Sequence, residues 1–325
     1  MSKETFLEGP VVQTSGLTKR FGGQTVLGGI DLSVPKGSVF GFLGPNGSGK
    51  TTTIRILLGL ASATSGDVEV LGRSIPRFLP EVLPRVGALV EGPGFYPFLS
   101  GRANLHRLDA ADRLVDPSTR RARTSRALER VGLSQAADKK VGAYSLGMKQ
   151  RLGIANALLT HRDLIVLDEP TNGLDPQGTR EVRHLVHSLI AEGTTVFVSS
   201  HLLAEVEQIC SHVAVLRAGQ LVAQGALSDL RAAGETRIEV LTPDPADCRR
   251  VLTGLGLKPM ESTPTRHTPH LGSAVTAPLA DHVPPETIVA ALVAGNVRVT
   301  GFAVDQVGLE ELFVSLTGEG FDVVQ

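Results

Sequence analysis

The sequence predicts an α/β fold built on a mixed β-sheet, with a small α+β module after it. An apolar run at residues 38–43 leads through a glycine-rich loop into a helical pattern. Two β-branched runs, residues 164–168 and 194–199, flank a helical pattern at residues 177–191. Such a strand–helix–strand order is typical of a βαβ unit with buried parallel strands.

The length of the chain suits this arrangement. Its 325 residues accommodate one large domain and one small one. The pattern of the sequence changes after Gly234. We therefore expect a large domain over residues 11–234 and a small α+β domain over residues 235–325.

Composition and charge give no support to several classes of protein. A net charge of −1 gives no sign of a nucleic-acid partner. The two cysteines, Cys210 and Cys248, lie in unrelated segments and form no metal-binding or redox spacing. The N-terminal residues lack the apolar core of a signal peptide, and no run reaches the ~20 apolar residues of a membrane-spanning helix. If the protein acts at a membrane, we expect another chain to cross it.

Several shorter strands complete the large domain. Residues 11–34 alternate and are rich in Val, Thr and Gly, which predicts antiparallel strands beside the main sheet. Short apolar runs predict further strands at residues 68–71 and 86–90. A last strand pair, residues 213–217 and 220–223, is joined by a tight turn.

A helical pattern extends over residues 101–160. It contains a group of arginines, Arg120, Arg121, Arg123 and Arg126. We expect these side chains on a solvated helix face, the alternative being a basic groove for nucleic acid.

The small domain shows strand and helix patterns without a chemical motif. The strands are predicted at residues 237–241 and 297–300, and the helices at residues 246–254 and 285–294. A Pro/Thr/His-rich stretch, residues 259–285, predicts a mobile loop. This module is expected to help hold a dimer together or to recognise a partner.

The glycine-rich loop has a specific pattern. The phosphate-binding pattern G-x-x-x-x-G-K-[ST] is matched at every fixed position by Gly44, Pro45, Asn46, Gly47, Ser48, Gly49, Lys50 and Thr51. The glycines allow a tight turn with inward-pointing N–H groups. The helix that follows, which includes Thr52, adds unpaired N–H groups and its dipole.

Lys50 and Thr51 supply the side-chain chemistry of this loop. Lys50 can reach the terminal phosphates of a nucleotide, and the Thr51 hydroxyl can bind Mg²⁺. The alternative is an ordinary glycine-rich turn, which the flanking strand and helix disfavour. We therefore expect a P-loop NTPase fold that binds a nucleoside triphosphate.

Two acids end the apolar run at residues 164–168. Asp168 has the position of a Walker-B aspartate, which binds Mg²⁺ opposite Thr51. Glu169 follows it and is placed to polarise an attacking water as general base. The alternative is helix capping, which the following Pro170 weakens.

The order of these motifs resembles the nucleotide-binding subunits of ATP-binding cassette (ABC) transporters. The resemblance covers residues 11–233, about two-thirds of the chain. Phe21 stands where the family has an aromatic side chain that stacks on adenine. Residues 144–151 occupy the position of the signature motif, residues 173–175 that of the D-loop, and residues 198–201 that of the switch histidine.

The resemblance implies roles for individual residues. Ser145 and the N–H of Gly147 would bind the ATP of an opposite subunit, with Asp175 in the neighbouring D-loop, and His201 would donate to the γ-phosphate. Considered alone, Ser145 would be a helix cap, His201 a structural histidine, and Phe21 either a core residue or a base-stacking platform.

The chain departs from the common family pattern in the signature and in the Q-loop. Leu146, Gly147 and Met148 replace the usual Gly-Gly-Gln after the signature serine. Glu91 stands where the family has the Q-loop glutamine, and we expect it to bind the metal or a water. The alternative is a misaligned surface acid.

Both departures resemble the ATPase subunits of bacitracin- and multidrug-type exporters of the ABC-2 class, as does the tail at residues 308–318. The family implies a mixed-sheet core, an antiparallel β-subdomain and a helical subdomain at about residues 92–160. It also implies ATP and Mg²⁺ as ligands.

The implied function is ATP hydrolysis that energises efflux through a separate transmembrane permease of the ABC-2 class. Head-to-tail homodimerisation would enclose the nucleotides, and the subunit would lie on the cytoplasmic face of the membrane. The alternatives are a soluble ABC-type ATPase acting on ribosomes or DNA, and a regulatory ATP-binding protein without turnover.

Overall fold

The computed structural model describes residues 9–90, 94–112, 115–232, 236–262, 273–279 and 283–306. The chain divides into two compact units, Met1–Leu227 and Ser228–Gln325. Each unit has its own hydrophobic core.

A six-stranded mixed sheet forms the centre of the first unit. Its strands are β4 (Val39–Leu43), β7 (Val86–Leu89), β8 (Leu164–Asp168), β9 (Thr195–Ser200), β10 (His212–Arg217) and β11 (Gln220–Ala226). The strand order is β11-β10-β4-β9-β8-β7, and all neighbours are parallel except β10 and β11. Every residue of β4, β8 and β9 is buried, as expected for parallel strands covered on both faces. The carboxyl ends of these strands therefore meet at one edge.

A second sheet, antiparallel, confirms the prediction for residues 11–34. It contains β1 (Val12–Phe21), β2 (Gln24–Ile30), β3 (Ser33–Val34), β5 (Ser65–Val70) and β6 (Arg73–Ser74). The order is β2-β1-β5-β6, and β3 also pairs with β1. Leu17 and Leu27 of this sheet share a buried cluster with Phe40 and Phe42 of β4. This shared core holds the first strands against the central sheet.

The helices of the first unit are α1 (Lys50–Leu57), α2 (Leu79–Val82), α3 (Gly101–Ala111), α4 (Arg120–Arg130), α5 (Leu146–Ala157), α6 (Pro176–Ala191) and α7 (Leu203–Ile209), and α8 (Leu227–Ala232) begins at its boundary. Helices α3, α4 and α5 confirm the helical region predicted from residue 101 on. None of the helices in the described ranges has both the length and the apolar character needed to cross a bilayer.

The expectation that the four arginines of α4 lie on a solvated face is wrong for two of them. Arg121 and Arg126 are exposed. Arg120 and Arg123 instead bind the buried carboxylate of Asp109 on α3, at 2.9 and 2.7 Å. The sequence pattern of α4 alone does not reveal this, because the paired acid lies on another helix.

The second unit is a βαββαβ module of the ferredoxin-like type. Its elements are β12 (Thr236–Thr242), α9 (Pro245–Gly254), β13 (Met260–Ser262), β14 (Ser273–Pro278), α10 (Pro285–Ala294) and β15 (Gly301–Gln306). The antiparallel strand order is β13-β14-β12-β15. Ile238 and Val240 of β12 are buried with Ile288 and Leu292 of α10.

Two predictions for this unit are wrong. Residues 297–300 form no strand: the ladder with β12 begins at Gly301, while Val297 is buried in the core and Arg298 binds Asp244. The stretch 259–285 is not simply a loop, because β13 and β14 lie within it. The small buried residues of β14 satisfy the pattern of a strand, but the surrounding Pro and Thr residues obscure it in the sequence.

Candidate functional site

The glycine-rich loop lies between β4 and α1, where only glycine fits at several positions. Gly47 and Gly49 have φ values of 79° and 109°, which favour glycine. A Cβ atom on Gly44 would lie 2.4 Å from the Leu216 carbonyl oxygen, and one on Gly49 would lie 2.5 Å from Leu27 Cδ2. At Gly44 and Gly49 the loop therefore packs so closely against neighbouring strands that a side chain has no room.

Lys50 lies at the start of α1 with its ammonium group turned back into the loop. Its Nζ donates to the carbonyl oxygens of Gly44, at 2.6 Å, and Pro45, at 3.2 Å. The side chain of Ser48 is buried, and its hydroxyl has no hydrogen-bond partner among the described residues. An unpaired buried hydroxyl is costly, so this loop suits a ligand rich in oxygen atoms. Thr52, which follows Thr51 in α1, is half-buried, as Thr51 is.

Thr51 and Asp168 are adjacent, as the sequence predicts. Thr51 Oγ1 donates to Asp168 Oδ2 at 2.9 Å, and Ser199 Oγ donates to Asp168 Oδ1 at 2.5 Å. Among the described residues, no group of three or more His, Cys, Asp or Glu side chains forms a metal-binding cluster. Magnesium commonly takes only one or two protein oxygens together with phosphate oxygens and water, and Thr51 and Asp168 fit that donor set.

Glu169 leaves the strand in an unusual backbone conformation. Its φ is 49°, in the left-handed region that few residues other than glycine adopt. The carboxylate lies 2.7 Å from His201 Nδ1 through Oε2 and 3.4 Å from Lys50 Nζ through Oε1. The helix-cap alternative is not supported, because the next helix, α6, begins at Pro176 and is capped by Asp175.

Sequence reasoning missed residues that hold this acid in place. Ser199 Oγ accepts a hydrogen bond from the Glu169 N–H at 3.0 Å, and Gln150 Nε2 donates to the Glu169 carbonyl oxygen at 3.2 Å. Glu205 binds the Thr171 hydroxyl at 2.6 Å. The one sequence signal for Ser199 is the pair of serines, Ser199 and Ser200, with which the apolar strand β9 ends.

Phe21 ends β1 at the surface. Its side chain is 54% exposed, which excludes the core alternative for this residue. Lys19 Nζ lies 4.6 Å from the centre of the ring. An exposed ring at the end of a strand offers a flat apolar surface on which a base can stack.

The signature segment forms the N-terminus of α5. Ser145 is exposed and caps the helix, since its side chain accepts a hydrogen bond from the Met148 N–H at 3.2 Å. The cap alternative therefore describes its role within the chain, and its exposure leaves it open to a second copy. Leu146 is 65% exposed.

The signature turn and the D-loop are in contact. A Cβ atom on Gly173 would lie 2.5 Å from Leu146 Cδ2, and one on Gly147 would lie 2.9 Å from Leu174 Cδ2. Asp175 is exposed and caps α6 by accepting from the Gly178 N–H at 2.8 Å. Glu91, the predicted metal ligand of the Q-loop, lies outside the described residues.

Comparison with known proteins identifies the family. The family model described as "ABC transporter" matches residues 27–172. The bacitracin transport ATP-binding protein BcrA of Bacillus licheniformis is 43% identical over 244 residues, which are 72% of this chain and 76% of that protein.

The chain belongs to the ABC transporter ATP-binding family. A second relative of this ABC protein is the daunorubicin resistance ATP-binding protein DrrA3 of Streptomyces coeruleorubidus, 34% identical over 310 residues, or 95% of this chain and 96% of that protein. A solved dimeric ATP-binding cassette in a post-hydrolysis state with ADP and Pi is similar in structure, with a TM-score of 0.60 and 25% identity over 66% of this chain and 98% of that one. The predicted ABC fold is thus confirmed, and the chain is an ATP-binding ATP hydrolase.

Proposed function

We propose that this ABC ATPase energises efflux through a separate membrane-spanning partner and that Glu169 is its general base. The observation that carries the assignment is the contact of Glu169 with both Lys50 and His201, beside the Thr51–Asp168 pair. These side chains come from three separate segments, residues 50–51, 168–169 and 201, and meet at the carboxyl edge of the sheet. This edge is where open α/β sheets bind their ligands.

Hydrolysis needs a water molecule activated for attack on the γ-phosphate. Glu169 takes the proton of that water, because its carboxylate is an acceptor held within the same cleft as Lys50. His201 orients the carboxylate through its Nδ1 contact, and an imidazolium, with both ring nitrogens protonated, would also donate to the γ-phosphate from Nε2. Lys50 neutralises the charge that develops on the phosphate oxygens.

Thr51 and Asp168 would hold Mg²⁺. When bound there, the ion would supply positive charge that offsets the negative charge of the phosphate groups. Ser199 Oγ binds Asp168 Oδ1, so Asp168 Oδ2 remains directed towards Thr51. Glu91 is proposed as a further ligand, on the sequence resemblance alone.

The remaining site residues are proposed to contact the adenine base and the nucleotide of a second copy. Phe21 stacks on the adenine ring. Ser145, Gly147 and Asp175 contact the nucleotide of a second copy, so that two chains arranged head to tail enclose two ATP molecules. The exposure of Ser145 and of the adjoining Leu146 supports this assignment, because both are accessible to another chain.

An exposed aromatic pair is proposed as the surface that docks on the membrane partner. Tyr96 and Phe98 are 44% and 63% exposed and contact each other edge to face, with ring centres 5.5 Å apart. The buried Asn104 side chain bonds both the N–H and the carbonyl oxygen of Tyr96, at 2.9 and 3.1 Å, which fixes the backbone at Tyr96. The Arg107 guanidinium lies 3.9 Å from the Tyr96 ring centre. An aromatic surface with a cation suits protein recognition.

The direction of transport is inferred from the relatives. Proteins named for bacitracin transport and for daunorubicin resistance support export, of a substrate recognised by the partner rather than by this chain. The subunit would then act at the inner face of the cell membrane, as an ABC-2 type ATPase.

Substitution of Glu169 tests the assignment. Glu169→Gln keeps the shape of the side chain but removes the basic oxygen. We expect ATP binding to be retained and hydrolysis in the presence of Mg²⁺ to fall by about 10²–10⁴-fold. Glu192→Gln, at an acid 47% exposed beyond α6, is the matched control. Unchanged turnover in Glu169→Gln would exclude Glu169 as the base.

A further inference from the structure

Glu205 joins two segments that flank the Glu169–His201 contact. Its Oε2 atom accepts hydrogen bonds from Thr171 Oγ1 at 2.6 Å and from Ser200 Oγ at 3.1 Å. Thr171 follows Glu169 closely in the chain, and Ser200 immediately precedes His201. One carboxylate therefore bridges the chain after β8 and the end of β9.

Both hydroxyl groups belong to buried residues, and Glu205 is the nearest acceptor for each among the described residues. Thr171 and Ser200 are only 8% and 2% exposed. Ser200 Oγ also accepts the Leu202 N–H at 3.0 Å, and as a donor it lies closer to Glu205, at 3.1 Å, than to the Leu202 carbonyl oxygen, at 3.4 Å. Hydrogen bonds to an ionised acceptor are shorter and stronger than neutral ones.

Helix α7, which carries Glu205, is firmly seated on the central sheet. Val206 is completely buried, and a Cβ atom on Gly41 of β4 would lie 2.7 Å from its Cγ1 atom. Leu203 is also buried. Because the helix lies directly against the β4 backbone, the carboxylate has a fixed base from which to hold both hydroxyls.

The segment being held includes a residue with an unfavourable backbone. The left-handed φ of Glu169 persists only when the surrounding structure constrains it. Thr171 anchors the chain on one side of Glu169, and Ser199 binds its N–H on the other. Displacement of a reacting group by about 1 Å can lower a rate by about 10²-fold.

We propose that Glu205 is a positioning residue for ATP hydrolysis, because it fixes Glu169 and His201 at their contact distance by binding Thr171 and Ser200. The proposal rests on the role assigned to Glu169 above. Glu205 acts through these neighbours, and its effect is confined to the step that follows ATP binding. Lys50 and Thr51, which are assigned to nucleotide binding, belong to a different segment, so ATP binding does not depend on Glu205.

Paired substitutions isolate the hydrogen bond from other effects. Thr171→Val removes the hydroxyl with little change of shape, and Glu205→Ala removes the acceptor. We expect either change to lower kcat about 10–10²-fold, with the KM for ATP within about threefold of the wild-type value. Thr171→Ser and Glu205→Gln keep a donor and an acceptor, and we expect their kcat values to stay within about threefold of wild type. Gln208→Ala, an exposed position on α7, is the control.

The double variant tests whether the two residues share one interaction. If they do, Thr171→Val combined with Glu205→Ala lowers kcat no further than the more severe single variant. Equal kcat for Thr171→Val and Thr171→Ser, or a KM that rises in step with the loss of kcat, would overturn the proposal.

Glu169→Gln is measured in the same series to separate the two hypotheses. If Glu169→Gln retains turnover, the assigned base is wrong and the proposed mechanism fails first. If Glu169→Gln is inactive while Thr171→Val and Glu205→Ala turn over normally, only the positioning role of Glu205 is lost.

Discussion

The carboxylate of Asp109 is the clearest target for a stability measurement. Its side chain is 1% exposed and lies between two arginines of α4. Arg123 binds it through Nε at 2.8 Å and Nη2 at 2.7 Å, and Arg120 binds it through Nε at 2.9 Å. The group therefore ties α3 to α4 within the helical part of the first unit.

The loss of stability expected on removing the Asp109 carboxylate follows from how deeply its arginine partners are buried. Removing one member of a buried ion pair costs about 3–5 kcal/mol, because the other charge is left uncompensated. Arg123 is 13% exposed, but Arg120 is 32% exposed and remains partly hydrated. We therefore expect Asp109→Ala to lower the free energy of unfolding by about 3 kcal/mol, at the low end of that range.

The effect should depend on pH. Burial raises the pKa of the Asp109 carboxyl, but hydrogen bonds from Arg123 and Arg120 outweigh it, so the net pKa lies below its ordinary value. Because the folded-state pKa is lowered, ionised Asp109 adds to the free energy of unfolding at pH values above the unfolded-state pKa of about 3.9. This contribution is lost as the pH falls through the folded-state pKa. The difference between wild type and Asp109→Ala should thus be full at neutral pH and should narrow in acid.

Urea unfolding followed by far-UV circular dichroism measures this difference, since the chain has no tryptophan. Asp138→Ala is the matched control: its carboxylate binds Arg102 but is 78% exposed, and solvent-exposed ion pairs contribute little to stability. An Asp109→Ala variant as stable as Asp138→Ala, or a loss of stability that stays constant into acid, would refute the argument.

Three further predictions concern the site and the cysteine. Phe21→Ala should raise the KM for ATP by about tenfold through lost base stacking, while Phe21→Trp retains affinity; an unchanged KM in Phe21→Ala would remove the stacking role. ATP hydrolysis should rise more steeply than linearly with protein concentration, because the proposed site is shared between two copies, and a strictly linear rise in a protein that stays monomeric would count against this. Burial raises the pKa of the Cys210 thiol to about 12, so iodoacetamide at pH 8 should modify it only after unfolding in urea; rapid labelling of the folded protein would contradict this.

The sequence predicts the parts of the site that are local. The loop at residues 44–51 needs glycines at fixed positions, and its side chains follow directly from the strand and helix beside it. Asp168 and Glu169 are predictable because an apolar strand ends at them. Their proximity to Thr51 follows from parallel pairing, since parallel strands place their carboxyl ends at the same edge.

The contacts between distant segments could not be predicted in this way. Glu205 resembles any acid in the first turn of a helix, and its bond to Thr171 exists only because α7 folds over β4. The same reason explains Asp109, whose arginine partners belong to the next helix. In the second unit, Val297 and Val299 resemble strand residues, so the sequence predicts a strand at residues 297–300, although the ladder of β15 with β12 begins only at Gly301.

The left-handed backbone of Glu169 sets stability and activity against each other at one position. Asparagine or glycine adopts this conformation at lower cost than glutamate, so a library screened for thermal stability alone should accumulate those residues there. Each such replacement removes the carboxylate that contacts His201 and Lys50. Engineering a more heat-resistant version of this motor therefore requires residue 169 to be kept fixed while the rest of the chain is varied.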